Sequence, residues 1–427
     1  MNTNRMVIVD GVRTPFSKMG GDLAPLAADE LGRIAVNALL TRTGLNPALI
    51  DEVIFGCVVQ PAEAANVARV IALRANIPEH VPALTVHRNC ASGFEAITQA
   101  CERMAAGRGE IFVVGGTESM SQAPLLFSYG TAKKFAKLAR AKSLGQKLAA
   151  FASFRPADFK PRIGLQLGLT DPVCGLNMGE TAEVLAREFS ISRAKQDAFA
   201  VESHSRAIAA RERLAEEICP VYPPSTQQVI SHDNGPRKDS SVEALAKLRP
   251  VFDRKNGTVT AGNSSQITDG AVALLVMSEQ KAAQLGMTPI GAITGYAYAG
   301  CNPDRMGLGP VFAAAKAEEK TGLTLEHADL VEINEAFAAQ VLACLRAMKS
   351  EEFAQRHLGR PRPLGKIEKD RLNVNGGAIA LGHPVGATGA RLVLSTLKEL
   401  NRRQARRAIV TLCVGGGQGG AIWLERI

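Results

Sequence analysis

Three glycine-rich stretches of this chain hold side chains able to bond to carbon or move a proton. Cys90 stands in His87-Arg88-Asn89-Cys90-Ala91-Ser92-Gly93, and His383 in Gly382-His383-Pro384-Val385-Gly386-Ala387-Thr388-Gly389. Cys413 opens Cys413-Val414-Gly415-Gly416-Gly417-Gln418-Gly419-Gly420. A thiol attacks carbon only as its thiolate. A neutral imidazole within reach is a fitting base to remove its proton. A second thiol adds a group that gives a proton to carbon or takes one away. Nucleophile, base and proton carrier together form a site for breaking or making a carbon–carbon bond. A fourth stretch, Asn334-Glu335-Ala336-Phe337-Ala338, adds the side-chain amide of Asn334.

The elements that must carry these groups follow from the local pattern. Leu84-Thr85-Val86 is strand-like, and Phe94-Glu95-Ala96-Ile97 begins a helical pattern. Cys90 therefore falls at a strand-to-helix turn. The partial positive charge of a helix N-terminus favours the thiolate, so a lowered pKa is expected. Residues 375–384 form a loop punctuated by glycines, with a helix expected from about Ala390. His383 would then be held at the mouth of a sheet. Asn334 follows the strand-like Leu330-Val331-Glu332-Ile333, and the C-terminal end of a strand is where open α/β sheets bind ligands. Cys413 ends Ala408-Ile409-Val410-Thr411-Leu412. The three glycines from Gly415 leave backbone N–H groups free to face an anion. Taken alone, Cys57 and Cys101 read as small buried apolar residues. The other six histidines read as surface or hydrogen-bonded groups, including His87, the nearest in sequence to Cys90.

The chain contains one unit twice. Arg5-Met6-Val7-Ile8-Val9 is matched by Ile290-Gly291-Ala292-Ile293-Thr294, and Asp51-Glu52-Val53-Ile54-Phe55-Gly56 by 328–334. Leu84-Thr85-Val86 is matched by Leu372-Asn373-Val374, and Ile111-Phe112-Val113-Val114-Gly115-Gly116 by 408–413. Helical stretches such as 29–43 and 389–402 lie between the strand-like runs. Alternating strand and helix predicts an α/β class with helix-covered sheets. Two stacked βαβαβαββ halves give layers in the order α-β-α-β-α. The expected N-terminal half is 1–120 with 251–280, and the C-terminal half is 281–427. Between them 121–250, richer in helix formers, proline and charge, is expected as a loop domain over the site.

Composition narrows the function classes. The chain has 427 residues and a formal net charge of +9. No acidic residue occurs from 119 to 157, where Lys133, Lys134, Lys137, Arg140, Lys142, Lys147 and Arg155 concentrate the positive charge. Nucleic acid is not an expected partner of this run. Eight scattered cysteines without a Cys-x-x-Cys pair suit a reduced compartment and argue against a disulfide framework or a zinc site. No run approaches the roughly 18 apolar residues of a membrane span. Strand-like residues from Met6 leave no room for a signal peptide. A cytoplasmic protein is expected. No phosphate-binding loop or dinucleotide fingerprint appears, so neither ATP nor NAD is expected.

The four stretches, in their order along the chain, resemble those of the thiolases, the acyl-CoA C-acyltransferases, and the resemblance runs from Val7 to about Trp423. It implies the layered thiolase fold and a ping-pong thiolytic cleavage of 3-ketoacyl-CoA by CoA, as in fatty-acid β-oxidation. In these roles Cys90 carries the acyl group. His383 is the base and an oxyanion donor, Asn334 holds an oxyanion-site water, Cys413 moves the proton at carbon, and the Gly415 N–H joins that of Cys90 in a second oxyanion hole. Coenzyme A is the implied co-substrate, with no metal and no permanent cofactor. Ser265 and Ser264 in Thr260-Ala261-Gly262-Asn263-Ser264-Ser265 resemble the pantetheine loop, Met178 the tunnel wall, and Arg237 an adenine contact. Asn334 is histidine in some relatives from complexes that degrade long chains. The basic stretch 131–163 resembles the insertion of those same complexes, and the two features pull chain length in opposite directions. A homodimer or homotetramer is implied. The basic amphipathic stretch could cover the site, draw in acyl-CoA phosphates, meet an anionic membrane surface or dock an enoyl-CoA hydratase/3-hydroxyacyl-CoA dehydrogenase subunit. Two alternatives stand beside this reading: a biosynthetic acetoacetyl-CoA thiolase, and a non-catalytic lipid-binding or scaffold subunit.

Overall fold

The computed structural model describes residues 5–224 and 228–427. The first half runs β1 (Met6–Arg13), α1 (Ala28–Thr43), β2 (Glu52–Gly56), α2 (Val67–Arg74), β3 (Ala83–Val86), α3 (Ser92–Ala105) and β4 (Ile111–Glu118). The chain then leaves the sheet through α4 (Tyr129–Arg140), α5 (Leu144–Ala152), α6 (Met178–Glu188) and α7 (Arg193–Ala209), and returns as β5 (Thr268–Ser278). The second half contains β6 (Gly291–Gly300), α8 (Gly309–Thr321), β7 (Leu330–Ile333), α9 (Ala338–Met348), α10 (Val385–Arg403), β8 (Arg407–Val414) and β9 (Gln418–Glu425).

Both halves use one strand order. The first reads β3-β2-β4-β5-β1 and the second β7-β8-β9-β6, with β1 against β6. In each half the crossover strands are parallel and the last two pairings antiparallel. The duplication read from the sequence is therefore a duplication of topology. Two details differ from expectation. The halves are not separate sheets, because Val7↔Ala292 and Ile8↔Gly291 join them edge to edge. The counterpart of β3 at Leu372 is a single bridge to Val331. Asn373 interrupts the ladder there: its φ is +44°, and its side-chain amide bonds both the N–H and the C=O of Ile333.

Apart from β3 and the second half of β6, the strands are buried on both faces, which is why they read as continuous apolar runs rather than alternating ones. Val113, Ala273 and Leu275 face the core shared with α1 and α2. Their neighbours Val114, Val272 and Leu274 face a central core holding Phe94 and Ile97 of α3 and Leu392 and Leu397 of α10. A third core lies between the second sheet half and α8 and α9. The layers are thus α-β-α-β-α, with α3 and α10 in the middle. Those two helices carry Cys90 and His383 just before their first turns.

The middle layer closes on glycines. A Cβ on Gly93 would lie 2.6 Å from Ala390 N, and one on Gly116 only 1.9 Å from Gly386 O. Neither backbone can yield without moving α10. Gly116→Ala is expected to destabilise the fold by about 1–3 kcal/mol or more, read as a lower midpoint in denaturant. An unchanged midpoint would mean that α10 shifts freely.

Candidate active site

Cys90 sits in the turn between β3 and α3. Asn89 adopts a left-handed φ of +43°. Ser92 Oγ braces the turn, accepting from Arg88 N at 2.9 Å and donating to Asn89 O at 2.7 Å. The Asn89 side chain reaches across to Gly415 O at 2.8 Å. That contact sets the glycine run against the cysteine, bringing the backbone N–H groups of Gly415 and of Cys90 itself to bear on its sulfur. They pull the thiol pKa down, but burial outweighs them and pushes it up to about 11. The lowered pKa expected from the helix N-terminus is therefore not found. In the substrate-free protein Cys90 is a neutral thiol.

His383 is buried and stands two residues ahead of α10. That helix starts at Val385 rather than near Ala390. The early start has a cause: the buried Glu118 carboxylate accepts from Gly386 N at 2.8 Å and acts as an acidic partner for the first turn. Thr388 Oγ1 donates to Pro384 O at 3.0 Å and lies 2.7 Å from His383 Nδ1. A hydroxyl has one proton to give. Spending it on Pro384 leaves Thr388 to accept from Nδ1–H, which puts the free lone pair on Nε2. That nitrogen faces Asn334 Nδ2 at 3.5 Å. Burial, and secondarily the charge of Arg391, push the His383 pKa down to about 4. The imidazole is neutral, as a base must be.

Two predictions follow from this geometry. Thr388→Val frees the ring to take the other tautomer, so kcat should fall roughly tenfold or more, with Thr388→Ser restoring it. A Val variant with full turnover would show that the hydroxyl does not set the tautomer. The second concerns pH. A depressed pKa keeps the base neutral below the ordinary histidine value of about 6.5, so kcat/KM should stay flat down to about pH 5.5. An acid limb centred near 6.5 would contradict the buried environment. The same shift makes the unfolded chain the better proton acceptor, so His383 costs stability as pH falls from about 6.5 towards 4.

Cys413 is fully buried near the end of β8, paired with Gly419. Burial first, then the neighbouring Cys90, push its thiol far above the usual range. It is a protonated donor at rest. Asn334 is buried where β7 ends, with its N–H on Thr411 O at 2.9 Å and its Oδ1 without a protein partner. A buried acceptor of this kind fits a bound water.

Sequence reading passed over two carboxylates that build this geometry. Glu118 holds Val58 N, Val59 N and Gly386 N together, and burial raises its pKa to about 7. Glu335 accepts from Ser203 Oγ at 2.6 Å, Asn373 Nδ2 at 2.9 Å and Ile379 N at 3.3 Å, fixing the loop that leads to His383. The available signal was a charged residue at or just beyond the end of an apolar strand.

A cavity of about 730 Å³ opens in front of Cys90. Asn89, Met178, Gly415 and Gly416 line it. Ser264 and Ser265 belong to a loop laid beside the catalytic stretches: Ser265 N donates to Ala336 O at 2.9 Å, Ser264 Oγ to Thr260 O at 2.7 Å, and His383 N to Gln266 O at 3.2 Å. Arg237 is not at this cavity. It lines a separate surface hollow with His204 and Lys238, and its N–H donates to His204 Nδ1 at 3.2 Å. Among the described residues no helix is long and apolar enough to cross a membrane.

Comparison with known proteins agrees over the whole length. The thiolase N-terminal domain matches residues 6–280 and the thiolase C-terminal domain 287–426. The 3-ketoacyl-CoA thiolase of Pectobacterium atrosepticum is 41% identical, and that of Serratia proteamaculans 42%; each match covers 99% of this chain and 97% of the relative. Human mitochondrial 3-ketoacyl-CoA thiolase in complex with CoA superposes with a TM-score of 0.86 at 37% identity, covering 99% of this chain and 98% of that one. The Bacillus anthracis acetyl-CoA acetyltransferase gives the same TM-score and identity over 99% of both chains. With both domains matched and the two halves folded as described, the chain belongs to the thiolase family.

Proposed function

We propose that this thiolase is a 3-ketoacyl-CoA thiolase, cleaving 3-ketoacyl-CoA with CoA to acetyl-CoA and a shortened acyl-CoA in fatty-acid β-oxidation. The observation that carries the site assignment is the Asn89 side chain donating to Gly415 O at 2.8 Å, which joins the second half's glycine loop to the turn that holds the first half's thiol. Because Cys90 rests as a thiol and His383 as a neutral imidazole, proton transfer to Nε2 accompanies attack of sulfur on the 3-keto carbon. The developing oxyanion meets the N–H groups of Cys90 and Gly415; one such donor lowers a barrier by about 3 kcal/mol. The C2–C3 bond breaks, its electron pair goes to the acetyl-CoA enolate, and Cys413 protonates C2. The oxygen of that enolate faces His383 and a water on Asn334. His383 then passes the proton it took from Cys90 to the Cys413 thiolate, which restores a neutral imidazole and a thiol. Incoming CoA gives its thiol proton to His383, its sulfur attacks the acyl carbon, and Cys90 leaves as a thiolate that recovers that proton from His383. These are ping-pong steps.

CoA is the co-substrate in this reading, its pantetheine arm passing Met178 and the loop of Ser264 and Ser265. Arg237, in its separate hollow, is suited only to the distal nucleotide end. The segment 121–250 acts as a loop domain over the cavity. The exposed Leu144, Leu148 and Phe151 of α5, beside the lysines of α4, are a face for an anionic membrane surface or a hydratase/dehydrogenase subunit. A homodimer or homotetramer in the cytoplasm completes the reading; eight free cysteines fit that reduced compartment.

The test is CoA-dependent loss of a 3-ketoacyl-CoA and appearance of acetyl-CoA with purified protein. Cleavage that requires CoA supports the reading. No cleavage at any chain length, with Cys90 never acylated, overturns it.

A further inference from the structure

Helix α10 carries a buried polar stripe on one face. Thr388, Arg391 and Ser395 recur along it at helical spacing. Thr388 Oγ1 lies 2.7 Å from the His383 ring, and Ser395 Oγ donates to Glu217 Oε1 at 2.9 Å. Arg391 stands between them in the middle layer and is only 2% exposed. Strand β7 faces it. Leu330 of that strand packs into the central core with Leu392 and Leu397 of α10, so by alternation Glu332 and Asn334 point the same way. The Arg391 guanidinium reaches Glu332 Oε2 at 3.9 Å, two residues before Asn334.

A buried guanidinium is ordinarily held by hydrogen-bonded carboxylates. Arg13 is held in this way, by Glu217 at 2.6 Å and by Asp233 at 2.6 and 2.8 Å. Arg391 is not. Its contact with Glu332 is too long for a hydrogen bond. Its Nε and Nη2 find no acceptor among the described residues. Glu217 is engaged by Arg13 and Ser395, and Glu335 by Ser203, Asn373 and Ile379. With Glu332 and Arg13 these are the charged groups that act on Arg391. Burial pushes the Glu332 carboxyl up, which weakens the nearest counter-charge. A buried charge left without compensation is unfavourable, and folds keep such groups chiefly at functional sites.

We infer that Arg391 is a positioning residue for the enolate: its unneutralised charge, set between the helix that follows His383 and the strand that ends at Asn334, stabilises the negative oxygen formed there when the C2–C3 bond breaks. The inference rests on the thiolase reading above and adds a residue to it. Acyl transfer at Cys90 uses the other oxyanion site, on the N–H groups of Cys90 and Gly415, so the charge of Arg391 bears mainly on one of the two half-reactions. At an effective dielectric of about 20, a unit charge roughly 10 Å from an anion changes its stability by about tenfold.

The experiment measures two rates on one preparation: CoA-dependent cleavage, which passes through the enolate, and exchange of labelled CoA into a simple acyl-CoA, which does not. Arg391→Met removes the charge and keeps most of the side chain's length, and the ratio of cleavage to exchange should fall about tenfold or more. Arg391→Lys restores the charge and should hold the ratio within about threefold of the wild type. Glu332→Gln removes the counter-charge and keeps the cation, so the ratio should match the wild type or exceed it. An Arg391→Met ratio equal to that of the wild type overturns the inference, because the residue then serves packing alone. A ratio lowered about tenfold in Glu332→Gln also overturns it, since the ion pair and not the free charge would then matter. Where Arg391→Met does not fold, the other two variants still decide, and a ratio lowered about tenfold in either one overturns the inference. A wild type that neither cleaves nor exchanges overturns the thiolase reading itself, an outcome distinct from all of these.

Discussion

Cys90→Ala is expected to lower kcat for CoA-dependent cleavage by a factor on the order of 10⁴ or more, the scale of removing a covalent nucleophile. The size of the loss follows from the route. With no sulfur at this position the 3-keto carbon has no attacking atom, and water cannot replace CoA as the acyl acceptor without changing the product. Cys90→Ser should be nearly as poor. Its hydroxyl is a far weaker acid than a thiol, so the neutral imidazole of His383 removes its proton far less readily. The companion measurement is mass spectrometry of the wild type mixed with an acyl-CoA in the absence of CoA. The acyl group should be found on the peptide containing Cys90. An adduct on Cys413 would exchange the two roles, and an Ala variant with more than a few per cent of normal turnover would remove Cys90 from the chemistry.

The resting state of this site qualifies what the sequence suggested. The turn between β3 and α3 was legible because a strand pattern meets a helix pattern around Cys90. The consequence for acidity was not legible. A helix N-terminus favours the thiolate, but the magnitude of burial depends on what packs above the turn, and the glycine loop at Gly415 comes from over three hundred residues away. Long-range contacts decide the pKa, and local pattern carries no information on them. The same limit explains the start of α10. Propensity places the helix after the last glycine, near Ala390, since glycine weakens helices. Glu118 overrides propensity by accepting the Gly386 N–H, and the close approach of Gly116 and Gly93 needs glycines in that first turn.

The duplication was legible because both halves repeat short apolar runs at similar intervals. Its one weak copy, at Leu372, was misread as a full strand. There the apolar residues are present, but Asn373 takes the ladder's hydrogen bonds with its side chain and turns the chain towards Gly376 and His383. A strand read from hydrophobicity became, in the structure, the lead-in to the base.

The other large effect is expected at Cys413, and it should be split between the two half-reactions. In cleavage, the departing enolate needs a proton at C2, and Cys413 is a buried thiol held protonated beside Cys90. In acyl transfer between CoA and Cys90, no proton moves at carbon, and His383 suffices. Cys413→Ala should therefore lower kcat for carbon–carbon cleavage by about 10² to 10⁴, the usual worth of a positioned acid or base. It should leave exchange of labelled CoA into a simple acyl-CoA within a few-fold of the wild type. His383→Ala, by contrast, should depress both, because both steps pass a thiol proton through Nε2. The two assays on one preparation also settle whether the variant folds, since exchange needs an intact Cys90, Gly415 and CoA path. Equal loss of cleavage and exchange in Cys413→Ala would mean that the residue supports the shape of the loop at Gly415 and does not carry the proton. Loss of cleavage alone would place proton transfer at C2 on this sulfur. The reason the fold buries a second thiol beside the first is then chemical: a donor whose pKa is raised by burial stays protonated until a strongly basic enolate forms next to it.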